Sequence, residues 1–189
     1  MSDPYDMSCH CGATRWTIAR AARGTLVKCY CADCQTFARH LGHGTDWLDA
    51  AGGSAIFQTA PHNLGFPDGM AHVALLRLGP KGLFRWYADC CGTPIANTLS
   101  GPGFPFVGAV LQPDENRFGP VRVWANTAAA RTPVKARGIA RAVLGVLGRA
   151  ALARLTGSYR TNPFFDAAGA PVAPPTVLSK AERDAARPH

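Results

Sequence analysis

The sequence predicts a mainly β domain organised around clustered cysteines, followed by a C-terminal α-helix and an extended tail. Three observations lead there. Short β-type runs recur between Gly, Pro, Asn and Asp punctuation, without the strand–helix alternation of a parallel α/β fold. The seven cysteines fall into tight groups, Cys9-x-Cys11, Cys29-x-Cys31-x-x-Cys34 and Cys90-Cys91. From Thr132 the texture changes, and a helix-length stretch, 138–155, lies between Pro133 and Gly157. Residues 8–130 therefore read as one domain, and 131–189 as a basic helix and tail packed on it. A hydrophobic content of 47% with 17% charged residues lets 189 residues build a real core.

In chain order, a short polar leader precedes Ser8-Cys9-His10-Cys11-Gly12, where Gly12 permits a tight bend. Strand composition follows over 14–18, and again over 25–28, which delivers Cys29. Residues 37–41 look like a helical turn stopped by Gly42 and Gly44. Further strands are expected at 54–58, 72–78, 83–87, 105–111 and 121–125, with strong turns at 79–82 and 101–103. The tail from Ser158 carries Phe164 and Phe165, then Pro171, Pro174 and Pro175; it is expected to run over the surface, pinned by the aromatics and fraying at its end.

The net charge of +8 is unevenly placed. Residues 1–120 hold nine Lys/Arg and nine Asp/Glu, whereas 121–189 hold eleven basic residues against three acids. Between 121 and 160 there are eight basic residues and no acid. On a helical wheel Arg137, Arg141, Arg149 and Arg154 do not gather on one face, and Ile139, Val143, Leu144 and Leu147 are similarly scattered. That pattern favours a helix docked on protein over one lying on a membrane. The basic segment could engage nucleic acid, an anionic surface or a protein, but no helix-turn-helix, finger or RNA-binding motif accompanies it. The leader has neither the basic nor the apolar region of a signal peptide, and no apolar run is long enough to span a bilayer. The odd, closely spaced cysteine count argues for reduced thiols holding metal, and a cytoplasmic setting, rather than a secreted disulfide framework.

A strand alternates its side chains, so Cys29 and Cys31 are expected on one face, with Cys34 brought round by the following turn. Three thiolates on one side of an ion are three corners of a zinc tetrahedron. The fourth corner is either a distant ligand, His40 or His43, or an open position of the kind a catalytic zinc keeps. Cys9, Cys11, Cys90 and Cys91 could close a second site. Arg39 is either a solvated arginine or a holder of a substrate carboxylate. Trp16, Trp47, Trp86 and Trp124 read as core rather than as a stacking platform.

These motifs in this order, ending in Cys91-Gly92-Thr93, resemble the glutathione-dependent formaldehyde-activating enzyme/centromere protein V family over roughly residues 8–125. The resemblance implies a β-tent zinc fold of small antiparallel sheets. It implies a structural zinc at Cys9, Cys11 and Cys91, and a second zinc at Cys29, Cys31 and Cys34, open to the thiol of glutathione. Position 88 is Ala where the family's last motif has its first cysteine, which leaves Cys90 as the nearest substitute; His10 alternates away from its neighbours. The leading expectation is a zinc-dependent carbon–sulfur lyase-type enzyme, with Cys29, Cys31 and Cys34 as its open site. It would bind a small thiol for adduct formation with formaldehyde or a similar electrophile. The competing expectation is a non-catalytic, zinc-stabilised binding module that engages an anionic partner through its basic C-terminal segment. A third is a thiol redox or metal-relay protein, with easily oxidised Cys29 and Cys34.

Overall fold

The computed structural model describes residues 3–188, so the first two residues of the leader lie outside it. The chain forms β1 (Tyr5–Ser8), β2 (Arg15–Ile18), β3 (Thr25–Cys29), α1 (Ala32–His40), β4 (Ser54–Thr59), β5 (Leu64–Asp68) and β6 (Val73–Arg77). Then come β7 (Phe84–Ala88), β8 (Thr93–Thr98), β9 (Val107–Leu111), β10 (Val123–Ala125), α2 (Ile139–Leu155), β11 (Pro175–Val177) and α3 (Lys180–Ala186). The fold is mainly β. A three-stranded antiparallel sheet has the order β1-β2-β5, and an eight-stranded sheet the order β10-β3-β4-β9-β8-β7-β6-β11. The large sheet is antiparallel inside and gains a parallel strand at each edge, β10 beside β3 and β11 beside β6.

The core is built from inward faces of both sheets, with Trp16 and Ile18 from the small one and Phe57, Leu75, Trp86, Ile95 and Leu111 from the large one. Phe164 and Phe165 of the tail enter this core; the Phe164 ring lies 5.0 Å from that of Trp86. Burying side chains this large contributes about 1.5–3 kcal/mol each, which fixes the tail to the sheet. Trp16, Trp47 and Trp86 are buried, whereas Trp124 is half-exposed beneath the guanidinium of Arg137, 3.9 Å from its ring centre.

Several elements depart from the sequence reading, each for a local reason. The polar leader contains β1, an edge strand of the small sheet that needs to bury only alternate residues. In β5, Gly65 and Pro67 interrupt the strand pattern, but this too is an edge strand, where proline costs no ladder bond. Pro94 masks β8; a register irregularity opposite it, between Trp86 and Tyr87, accommodates the missing N–H. The tail does more than cross the surface. It adds β11 to the sheet edge and ends in α3, opened by a capping box between Ser179 and Glu182. Helix α1 begins at Ala32, inside the cysteine group, rather than at residue 37.

Candidate metal centres

Both cysteine groups converge in space, by different devices. Cys9 and Cys11 sit in the turn between β1 and β2, closed by Gly12 N–H to Cys9 C=O at 3.0 Å. Cys90 and Cys91 sit in the turn between β7 and β8, where Gly92 N–H donates to Ala88 C=O at 2.8 Å. Gly92 has φ +72°, and a Cβ there would lie 2.6 Å from the Leu41 carbonyl oxygen, so the turn admits only glycine at this point. This tight turn lets two adjacent cysteines face one centre. Cys9 Sγ lies 3.6 Å from Cys11 Sγ and 3.7 Å from Cys90 Sγ, Cys11 Sγ is 3.3 Å from Cys90 Sγ, and Cys90 Sγ is 3.9 Å from Cys91 Sγ. A tetrahedron with zinc–sulfur bonds of about 2.3 Å has edges of about 3.8 Å, so the four sulfurs fit a metal of that size. Ala88 is fully buried in the hydrophobic core.

The surroundings suit thiolates. The Thr14 backbone N–H donates to Cys9 Sγ at 3.2 Å, and Thr93 Oγ1 lies 3.1 Å from Cys91 Sγ. His43, an alternative ligand for the middle group, instead places Nε2 2.9 Å from the Cys91 carbonyl oxygen. His10 stays out of the cluster; its backbone N–H donates to Thr93 Oγ1 at 2.9 Å.

Cys29, Cys31 and Cys34 form the second group, with all three sulfurs within 4.8 Å of one another. Strand β3 delivers Cys29. Cys31 is the N-cap of α1, its sulfur accepting the Cys34 N–H at 3.3 Å, and Cys34 lies in the first helical turn. The third sulfur is thus brought round by a helix start, not by a loose turn. Hydrogen bonds from the thiols of Cys31 and Cys34 hold Cys29 well below the usual thiol range. Hydrogen bonding to Cys29 pushes the thiols of Cys31 and Cys34 up, so the three sulfurs titrate as one coupled set. Asn126, in the left-handed region at φ 54°, donates from Nδ2 to Cys29 Sγ at 3.3 Å. Neither His40 nor His43 belongs to this group, and among the described residues no fourth Cys, His, Asp or Glu completes it.

This open set forms part of the wall of a cavity of about 630 Å³, which Gln58, Arg85, Asn97, Phe106 and Asn126 also line. Arg85 is almost fully buried, with Nη1 donating to Asn97 Oδ1 at 3.1 Å and its guanidinium over the Phe37 ring at 5.4 Å. Arg39, the arginine singled out from sequence, points elsewhere and donates to the Arg187 carbonyl at 3.1 Å. Nothing local in the sequence distinguishes Arg85 or Asn126; the pairing of β7 with β8 and of β10 with β3 brings them to the site. Helix α1 starts at one cysteine group and its C-terminal turn abuts the other, a span of about 13 Å for nine residues.

All seven cysteines are free. No helix among the described residues is long and apolar enough to cross a membrane. No curated protein matches the sequence. Among solved structures, the crystal structure of a Rhodobacter sphaeroides protein is similar, with 20% identity over 64% of this chain and 100% of that one and a TM-score of 0.41. A family model matches residues 1–174, and the chain belongs to that family, DUF6151, a family of unknown function.

Proposed function

We propose that the protein is a zinc-dependent carbon–sulfur lyase-type enzyme that binds a small thiol such as glutathione at the Cys29–Cys31–Cys34 centre. The observation that carries this reading is an incomplete donor set on the wall of a cavity large enough for a peptide-sized ligand. Three soft sulfurs suit zinc, and a fourth position facing a cavity suits an incoming thiol. The four-sulfur set at Cys9, Cys11, Cys90 and Cys91 is closed by its own ligands and has the character of a structural site. The resemblance of the three cysteine motifs to the glutathione-dependent formaldehyde-activating family supports the same division of labour.

When bound, zinc would lower the pKa of an incoming thiol and keep it ionised at neutral pH. The chain's own residues supply the rest. Asn126 steadies the Cys29 sulfur, and Arg85 offers the cavity's one cationic group to the ligand. In the reaction proposed, the sulfur of the small thiol adds to the carbonyl carbon of formaldehyde. One C–S bond forms, the C=O π bond breaks, and the carbonyl oxygen takes up the proton lost by the thiol, giving an S-hydroxymethyl adduct.

The test is calorimetric titration of zinc-loaded protein with glutathione, with Cys31→Ser as the control. Serine is itself a good N-cap, so α1 should survive while the soft ligand is lost. Saturable binding that disappears in Cys31→Ser, at unchanged circular dichroism, is expected. Failure of the zinc-loaded wild type to bind any small thiol would overturn the reading.

A further inference from the structure

Helix α2 sits on the sheet with an inverted arrangement of its side chains. Its buried positions are the small residues Ala150 and Ala153. Its larger aliphatics face outward: Ile139 is 45% exposed, Val143 52%, Leu144 69%, Leu147 52%, Leu152 48% and Leu155 86%. Six of the nine exposed large hydrophobic residues among those described therefore belong to this one helix. At 100° per residue, five of these six fall within an arc of about 160°, Leu152 lies about 60° beyond Leu155, and the buried Ala150 falls between Ile139 and Val143. Arg154 falls within that arc, but its guanidinium turns back to the Gly103 carbonyl and lies 5.2 Å from the Tyr159 ring centre.

The charge around this helix is mostly basic, with Asp166 beside Arg154 and Arg160 the acid that shares a pocket wall with them. Arg122, Arg131, Lys135, Arg137, Arg141 and Arg160 are all exposed, and no acid occurs between residues 121 and 160. Arg137, stacked on Trp124, stands just before the helix, where an aromatic ring beside a cation suits the boundary between headgroups and acyl chains. A symmetric pairing with a second copy would set these arginine-rich borders against each other. An apolar face bordered by cations is complementary to a layer that is apolar inside and anionic at its surface.

We infer that the outward face of α2 is a docking surface for an anionic phospholipid bilayer, with its aliphatics entering the acyl boundary and the surrounding arginines meeting the phosphates. The helix, of 17 residues, lies on the surface rather than crossing it. This inference is independent of the thiol-binding reading.

The test is co-sedimentation of the full chain with sucrose-loaded phosphatidylcholine vesicles, with and without phosphatidylglycerol. Binding to the phosphatidylglycerol vesicles is expected to be about tenfold tighter than to phosphatidylcholine alone, and to weaken as salt rises. The double variant Leu144→Ser/Leu147→Ser changes only exposed side chains, so its melting temperature should match the wild type while vesicle binding falls about tenfold or more. Absence of binding to phosphatidylglycerol vesicles overturns the inference, as does undiminished binding by the double variant. A wild-type dimer in light scattering that Leu144→Ser/Leu147→Ser converts to monomer, with no vesicle binding, would assign the face to a second copy instead.

Discussion

Replacing Cys90 by serine should remove a cross-link between the two sheets. Cys9 and Cys11 belong to the small sheet's hairpin and Cys90 and Cys91 to the large sheet's, so a metal held by all four is a cross-link between them. Cys9 and Cys90 are 81 residues apart. Treating the metal as equivalent to a covalent bridge, closing a loop of that length removes about 4.5 kcal/mol of unfolded-chain entropy. For a domain of this size each kcal/mol shifts the melting temperature by about 2–4 °C, so Cys90→Ser should melt roughly 10–20 °C below the wild type. Protein purified under reducing conditions without added metal would be assayed for zinc by elemental analysis and for melting by calorimetry. Two zincs per chain are expected in the wild type and one in Cys90→Ser. An unchanged zinc content together with a melting temperature within about 3 °C of the wild type would refute the cross-link argument, because the estimated loss is several times that shift.

Two further perturbations test other parts of the structure. Arg85 is the cationic group lining the cavity beside the open cysteine set. Arg85→Met should weaken binding of a carboxylate-bearing thiol such as glutathione by about tenfold while leaving 2-mercaptoethanol unaffected, as read by competitive titration. The carboxyl of Glu115 lies below the usual carboxylate range because Arg117 hydrogen-bonds to it, and Arg117 in turn reaches the Asp6 carbonyl and Met7 Sδ on β1. A lowered folded-state value means that this contribution is complete above the ordinary carboxylate range and is lost as pH falls through the lowered one. Urea midpoints measured from pH 6 downward should therefore show Glu115→Gln converging with the wild type in acid, from a difference of under about 1 kcal/mol at neutral pH.

Much of the fold and of the candidate site was legible in the sequence, and the misses share a cause. Strands β2, β3, β4, β6, β7, β9 and β10 announce themselves because each alternates or runs apolar between turn residues. Strands β1, β5, β8 and β11 are polar, short or broken by proline, and they form because a neighbouring strand supplies the pairing. The cysteine groups were recognisable from spacing alone. What spacing could not show is the device that closes each group: a glycine turn at Gly92 for one, and the N-terminus of α1 for the other. Arg85 and Asn126 reach the open set only through long-range strand pairing, so no local signal marks them.

The two outermost strands of the large sheet, β10 and β11, both follow every strand that they flank in the chain. During synthesis β3 and β6 therefore emerge as open edges, ready to pair with a neighbouring nascent chain, until those later segments arrive. Beyond β10 the backbone of Arg137 closes the last free positions with hydrogen bonds to Trp124 at 3.0 and 3.1 Å. Chaperone dependence and loss to inclusion bodies should accordingly be greatest for chains stalled before residue 123, and should ease once β10 and β11 have paired with β3 and β6.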